Sequence, residues 1–270
     1  MGFTVLSPAE PLSALVDTIW DWDMPPLAHR YDRILPSAGS QLVVNLAEDE
    51  TRVYDDALAC RRFQAASFDG PSHRNFIIDT AEQVRVVGVV FKPGCAAPLF
   101  RQRMDLLCND HVDLDALAGG PARGLRERLL EAGSAAARLR AMQDWLVRQA
   151  GDARPHAAVA HALRAFDAAG PRVQRIPAIA AHCRLSPRRF GALFREHVGM
   201  SPKRYARLLR FRGVVGHAQQ AHSVDWAGLA VDCGFHDQPH LAREFRAFSG
   251  LTPTAWMSMR GPHAGHVPVA

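Results

Sequence analysis

One pattern occurs twice in this chain, about 50 residues apart, and it constrains the fold more than any other feature. The first copy runs from Ile179 to Tyr205 and reads IAAHCRLSPRRFGALFREHVGMSPKRY. The second runs from Leu229 to Trp256 and reads LAVDCGFHDQPHLAREFRAFSGLTPTAW. Cys183 matches Cys233 and Leu185 matches Phe235. The second copy then carries one extra residue. Beyond it Phe190 matches Leu241, Phe194 matches Phe245, Gly199 matches Gly250, Ser201-Pro202 matches Thr252-Pro253, and Tyr205 matches Trp256.

Each copy spells helix, short turn, helix. In the first, Ile176, Ile179 and Ala180 form the apolar stripe of a short helix. Ser186-Pro187 restarts the chain, because a serine N-cap accepts a backbone N–H and a proline at the first helical position gives up a donor that had no partner. The second helix buries Phe190, Leu193 and Phe194 at i, i+3 and i+4. Gly199 ends it in the left-handed conformation. Ser201-Pro202 opens the next helix by the same device, and Thr252-Pro253 repeats it. In the second copy Asp237 is the expected cap, and Leu241, Phe245 and Phe248 face the core.

What remains is the exposed face of each second helix. It carries Arg188, Arg189, Ala192 and Arg195 in the first copy, and Gln238, His240, Arg243 and Arg246 in the second. Arginine forks onto guanine O6 and N7, and glutamine pairs with adenine N6 and N7. A helix that follows a tight turn and carries such residues near its N-terminus fits the major groove. Small residues at Gly191 and Ala192 permit close approach. A basic solvent face on a helical bundle is the bland alternative, but two copies in one register with the same caps weigh against it. Between the copies Pro202 to Gln220 reads as one helix of roughly 28 Å at 1.5 Å per residue. It could hold two reading heads about one DNA turn apart, near 34 Å. It also carries Arg207, Arg210 and Arg212, and the basic side chains at its start, Lys203 and Arg204, are placed to touch phosphates.

Charge points the same way. The net charge is +5, but residues 1–153 carry 16 basic and 21 acidic side chains while residues 154–270 carry 16 and 6. A basic half on an acidic half suggests a polyanionic partner for the second. The five cysteines lack CxxC spacing, which argues against a disulfide framework or a structural zinc and for a reducing cytoplasm. No apolar run approaches the ~20 residues that span a bilayer, and no signal-peptide pattern opens the chain.

The first part reads as β. Gln41 to Leu46 alternates, and Thr51–Tyr54, Arg62–Phe68 and Asn75–Ile78 are further short β-prone runs. Val84 to Phe91 is apolar nearly throughout, as a strand buried on both faces would be, and Lys92-Pro93-Gly94 stops it. Helical stripes follow at Leu125, Leu129 and Leu130, then at Leu139, Met142, Trp145 and Leu146. They suit either core packing or a dimerising helix pair. The expected organisation is a β-rich sensor or dimerisation domain at 1–118, a helical connector at 119–153, a DNA-binding domain at 154–262 and a flexible tail at 263–270.

From about Pro155 to Arg260 the sequence resembles the AraC/XylS family of bacterial transcription regulators, on the segments IAAHCRLSPRRFGALFREHVGMSP and CGFHDQPHLAREFRAFSGLTP. The resemblance implies seven helices containing two helix-turn-helix units joined by a long helix. It puts Arg188, Ala192 and Arg195 on the first reading helix, and Gln238, His240 and Arg243 on the second. Arg184 departs from the pattern, since that turn often has glycine, as at Gly234. A non-glycine residue there takes a strained positive φ. RILPSAGSQLVVNL and VVGVVFKPGCAAPLF are similar to sensor segments of one subgroup. That likeness implies an α+β chain whose N-terminal β-rich barrel is cupin-like. It implies small-molecule sensing or dimerisation, and with the C-terminal resemblance the expected partners are double-stranded promoter or operator DNA, a small-molecule effector, a second copy of the chain (a homodimer) and RNA polymerase. Trp20, Trp22, Arg33 and Phe91 are candidate ligand-pocket residues, because aromatic walls with one charge suit a small ligand.

Two other readings compete. A metal-dependent cupin enzyme needs closely spaced histidines with a carboxylate, whereas His29, His73 and His111 are isolated and no HxH occurs. A nonspecific architectural DNA binder would use the same basic faces without reading bases. No GxSxG, P-loop or GxGxxG is present. No enzyme activity, cofactor or membrane partner is expected.

Overall fold

The computed structural model of the chain describes residues 2–170 and 176–269. Its N-terminal part is built from strands β1 (Gly2–Leu6), β2 (Val16–Asp23), β3 (Tyr31–Ile34), β4 (Gln41–Asn45), β5 (Glu50–Tyr54), β6 (Cys60–Gln64), β7 (Ala66–Asp69), β8 (Phe76–Asp79), β9 (Arg85–Phe91) and β10 (His111–Asp113). A last strand, β11 (His266–Val269), comes from the far end of the chain. They form two antiparallel sheets, in the orders β1-β2-β9-β4-β7-β10 and β11-β3-β8-β5-β6. The sheets share one cleft but do not close into the expected barrel, and β1, β10, β11 and β6 remain edges. The run Arg62–Phe68 divides at Ala65: β6 stays in the smaller sheet and β7 crosses to the larger one.

Strand alternation sorts side chains into layers. In β9, Val87, Val89 and Phe91 face away from the cleft, with Ile19, Leu42, Val44 and Phe68 from neighbouring strands. This face is covered by α1 (Ala96–Phe100), α2 (Leu114–Ala118), α3 (Leu125–Glu131) and α4 (Ala135–Ala150), through Leu99, Phe100, Leu114, Leu125, Leu129, Leu139, Met142, Trp145 and Leu146. A buried ion pair pins α4 to the sheet: Arg138 donates to both oxygens of Asp21 on β2, at 2.5 and 2.8 Å. The other face of β9, with Val86 and Val90, looks into the cleft, so the strand is covered on both sides.

The remainder is helical: α5 (Ala157–Ala169), α6 (Ile176–His182), α7 (Pro187–Val198), α8 (Pro202–Gln220), α9 (Trp226–Asp232), α10 (Gln238–Ser249) and α11 (Pro253–Met259). Among the described residues these are seven, the expected number. They share a second core around Phe166, Phe190, Phe194, Tyr205, Phe211, Phe245, Phe248 and Trp256. Cys233 is buried in that core, and Cys183 is a half-buried free thiol. Among the described residues no helix is long and apolar enough to cross a membrane.

The expected flexible tail at 263–270 is a correction. His266–Val269 pairs antiparallel with β3, and Val267 is fully buried in the helical core. The open edge of β3 supplies unpaired backbone groups, and Val267 supplies an apolar anchor. A short strand is therefore more favourable than a solvated end.

Candidate nucleic-acid interface and ligand cleft

The two helix-turn-helix units form by the local devices their sequences contain. Ser186 accepts the backbone N–H of Arg189, Ser201 that of Arg204, Asp237 that of His240, and Thr252 that of Ala255. Pro187, Pro202, Pro239 and Pro253 sit in first turns, where no N–H is lost. Gly199 and Gly250 end α7 and α10 at φ +83° and +76°. Arg184 takes φ 54° in the first turn, as its non-glycine identity implied, while Gly234 has φ 73° in the second. The extra residue of the second copy lengthens the turn between α9 and α10.

The predicted reading residues come to the surface. Arg188, Arg189 and Arg195 are exposed on α7, and Gln238, Arg243 and Arg246 are exposed on α10. Ala192 is half-buried between them, beside Gly191, whose missing side chain would meet open space. None of these arginines takes part in an ion pair among the described residues. Within the helical part the described arginine ion pair is Arg207–Glu244. The faces are thus positively charged and uncompensated, which is the state a phosphate or guanine would meet. His240 is different. It is half-buried, its Nδ1 accepts the backbone N–H of His236 at 3.3 Å, and its ring packs edge-on against Phe235. Its imidazole is therefore held against the turn.

The two phosphate candidates on α8 also differ. Lys203 is exposed. Arg204 donates to His73 Nε2 at 2.7 Å, and Asn109 donates to the same nitrogen at 2.9 Å. Accepting both requires a neutral ring with its proton on Nδ1. Burial, and next the adjacent Arg204 charge, push His73 down to about 4, so neutrality is its stable state. Arg204 is thereby tied to the β-rich part. Arg207 turns inward to Glu244, and Arg210 lies over the Phe235 ring, so neither is a free phosphate contact.

Several further bonds seat the helical part on the sheets. Met104 donates its backbone N–H to the Glu196 carbonyl at 2.8 Å, and Leu35 to that of Gly265 at 2.9 Å. Pro71 lies against Gly199 so closely that a Cβ there would sit 2.3 Å from the proline ring.

The cleft between the sheets encloses about 330 Å³. Trp20 and Trp22 line it. Arg33 and Phe91 do not, and alternation is the reason. On β3, Asp32 and Ile34 face the cleft, so Arg33 faces outward. There it meets Asp56 and Asn75 and reaches the Ser249 carbonyl at 3.4 Å. Phe91 shares the helix-covered face with Phe68 and Phe100. Gly88 explains how Trp20 fits: a Cβ at Gly88 would lie 2.1 Å from the indole, so only glycine lets the ring lie across β9.

Sequence reasoning missed the polar lining. Asp32 on β3 accepts from His29 at 2.7 Å and from His266 on β11 at 3.2 Å. Burial works against its charge, but the His266 and His29 hydrogen bonds outweigh burial and hold the carboxyl below its ordinary range. Asp69 accepts from His111 at 2.7 Å. Thr51 Oγ1 and Ser67 Oγ are buried without a partner. Phe3, Trp22 and His263 meet edge-to-face at 5.8–6.3 Å on one wall of the cleft. Two-residue alternation marked which residues share a face, but not which face would meet a second sheet. Among the described residues no group of three or more potential ligands is placed to hold a metal ion.

Residues 179–259 match the family model described as a helix-turn-helix domain. The match runs from within α6 to the end of α11 and so takes in both helix-turn-helix units. Residues 4–113 match a second model, a domain of unknown function (DUF6597). Solved structures give distant likenesses. A transcriptional regulator with an AraC-type DNA-binding domain from Chromobacterium violaceum is 23% identical over 38% of this chain and 95% of its own, with TM-score 0.35. A probable AraC family regulator from Rhodopseudomonas palustris is 23% identical over 38% of this chain and 96% of its own, with TM-score 0.34. ToxT from Vibrio cholerae, bound to an unsaturated fatty acid, is 10% identical over 95% of both chains, with TM-score 0.47. No curated protein matches the chain.

Proposed function

We propose that the chain is a sequence-specific transcription regulator that reads promoter or operator DNA with α7 and α10 and responds to a small molecule bound between its sheets. The observation that carries this reading is the pair of capped helices whose arginines stand exposed and unpaired, joined by the 19-residue α8. Arg188, Arg189 and Arg195 on one helix, and Gln238, Arg243 and Arg246 on the other, supply base contacts. Ala192 permits close approach, and Lys203 supplies a phosphate contact. Arg204 reaches phosphate only when it leaves His73, and His240 orients the turn. At 1.5 Å per residue α8 spans roughly 28 Å, near the ~34 Å between successive major grooves on one side of a duplex.

Effector binding alters DNA affinity only if the two states of the protein bind the effector differently. The contacts that join the sheets to α7, α8 and α10 supply the route for such a difference. A homodimer through α3 and α4, each of which exposes one large apolar side chain (Leu130 and Val147), and contact with RNA polymerase complete the reading.

Selection of bound sequences from random DNA with the purified full chain tests it. The expected product is a motif of two boxes about ten base pairs apart. Retention of random DNA with no enriched motif would instead identify an architectural binder.

A further inference from the structure

The cleft has a chemical signature of its own. Its walls are aromatic and aliphatic: Trp20, Trp22, Phe76, Ile34, Val43 and Val86 among others. Its ionisable lining is Asp32, Asp69, His263 and His266, and no lysine or arginine is among its lining residues. Two hydroxyls that line it, Thr51 Oγ1 and Ser67 Oγ, belong to residues only 4% and 1% exposed and have no hydrogen-bond partner. A buried polar atom left unpaired costs about 1–3 kcal/mol, so two of them lining one cavity, Thr51 from the smaller sheet and Ser67 from the larger, indicate an occupant that pairs with them. The volume is about twice the ~150 Å³ that holds a benzene ring, which suits one or two fused rings with a short side chain. A carboxylate ligand would be buried beside two aspartates with no lysine or arginine to meet it. An ammonium group has the opposite fit: carboxylates and hydroxyl oxygens accept its protons, and indole faces attract its charge.

One wall of this cleft does not come from the β-rich part. His263 and His266 follow α11, the last helix of the second reading unit, and both line the cleft. His263 packs on Trp22 and Phe3, and His266 bonds Asp32, while Val267 is anchored in the helical core.

We propose that the cleft binds a small aromatic amine and that the C-terminal segment His263–Val269 closes over it, so that the DNA-reading half itself forms part of the effector site. This rests on the regulator reading above and names the class of its effector. An amine seated against Asp69, Ser67 and Thr51 fills the space beneath His263 and favours the docked strand. Loss of the amine leaves that strand held by four residue pairs with β3, the His266–Asp32 and Leu35–Gly265 hydrogen bonds, and Val267.

Calorimetric titration of the full chain with two matched pairs of probes tests the proposal: phenethylamine against phenylacetate, and tryptamine against indole-3-acetate. In each pair the amine is expected to bind at least about tenfold tighter than the acid. Thr51→Val and Asp69→Asn are each expected to weaken amine binding about tenfold, and His263→Ala to weaken it by a smaller factor. Thr51→Val preserves shape, so it remains informative if Asp69→Asn fails to fold. Hydrogen exchange of the amides in 266–269 is expected to slow when phenethylamine is bound. Acids that bind as well as amines, amines that do not bind at millimolar concentration, or amine binding unchanged in the folded variants would overturn the ligand class. Unchanged exchange in 266–269 with amine bound would overturn the closing strand. If DNA selection yields two boxes while no amine binds, this inference falls and the regulator stands. Amine binding without a DNA motif does the reverse.

Discussion

Arg207 on the long helix α8 grips Glu244 on the reading helix α10 with two prongs, at 2.6 and 2.8 Å. Arg207 also lies over the Phe248 ring. A basic residue of the connector is therefore spent on fixing the second reading helix against it. Glu244→Ala leaves a half-buried guanidinium without its partner. It is expected to lower stability by about 1–2 kcal/mol, more than an exposed pair and less than a fully buried one. Urea unfolding of the two proteins measures this, and an unchanged midpoint would mean that the pair contributes nothing to docking.

The reading helices make separable predictions. Arg188→Ala and Arg243→Ala should each cost about 1–3 kcal/mol on the selected site and relax preference at one base position. Lys203→Ala should weaken binding to every sequence and reduce the salt slope by about one. His240→Ala should act on stability of the turn before it acts on base preference, because its ring faces Phe235. Binding isotherms on cognate and scrambled duplexes at several salt concentrations distinguish the three.

The His73–Arg204 contact sets a pH dependence. His73 titrates at about 4 in the fold, against 6.5 for an ordinary histidine, because burial and then the Arg204 charge oppose its protonation. Between those values the unfolded chain binds the proton and the folded chain does not. The contribution is complete above about pH 6.5 and is lost as pH falls towards 4. His73→Gln should flatten stability across that window, as measured by thermal unfolding at a series of pH values. A slope that persists in the variant would assign the effect to other groups.

Gly199 ends α7 at φ +83° where Pro71 of the β-rich part closes on it. Gly199→Ala combines an unfavourable backbone conformation with a Cβ placed 2.3 Å from the proline ring. A loss of about 1–3 kcal/mol is expected, from a strained positive φ together with displaced packing. Gly216→Ala, in the open on α8, is the control and should be neutral or slightly stabilising. Equal effects in thermal melts would show that the close approach is not maintained in solution.

Loss of the α10 cap is a local test. Asp237→Ala removes the acceptor for the His240 N–H and should cost about 1 kcal/mol. The reading should suffer in proportion, because Gln238 and Arg243 depend on where that helix begins. Intact site preference alongside lowered stability would show that α10 keeps its start without the cap.

The sequence by itself determined the double helix-turn-helix. Its caps, first-turn prolines, terminal glycines and i, i+3, i+4 stripes act within a few residues, so helices of the right length and exposed face follow from local chemistry. The same locality made the long connector legible, and the positive φ at Arg184. Only the tertiary structure decided which faces of the strands would meet. Alternation tells Asp32 from Arg33 and Val90 from Phe91, but it is silent on which set looks into a cleft and which lies under helices. The end of the chain was beyond reach for the same reason. Nothing near His266–Val269 in sequence announces a strand, since its partner is β3, more than 200 residues earlier, and its anchor is a core assembled from seven helices.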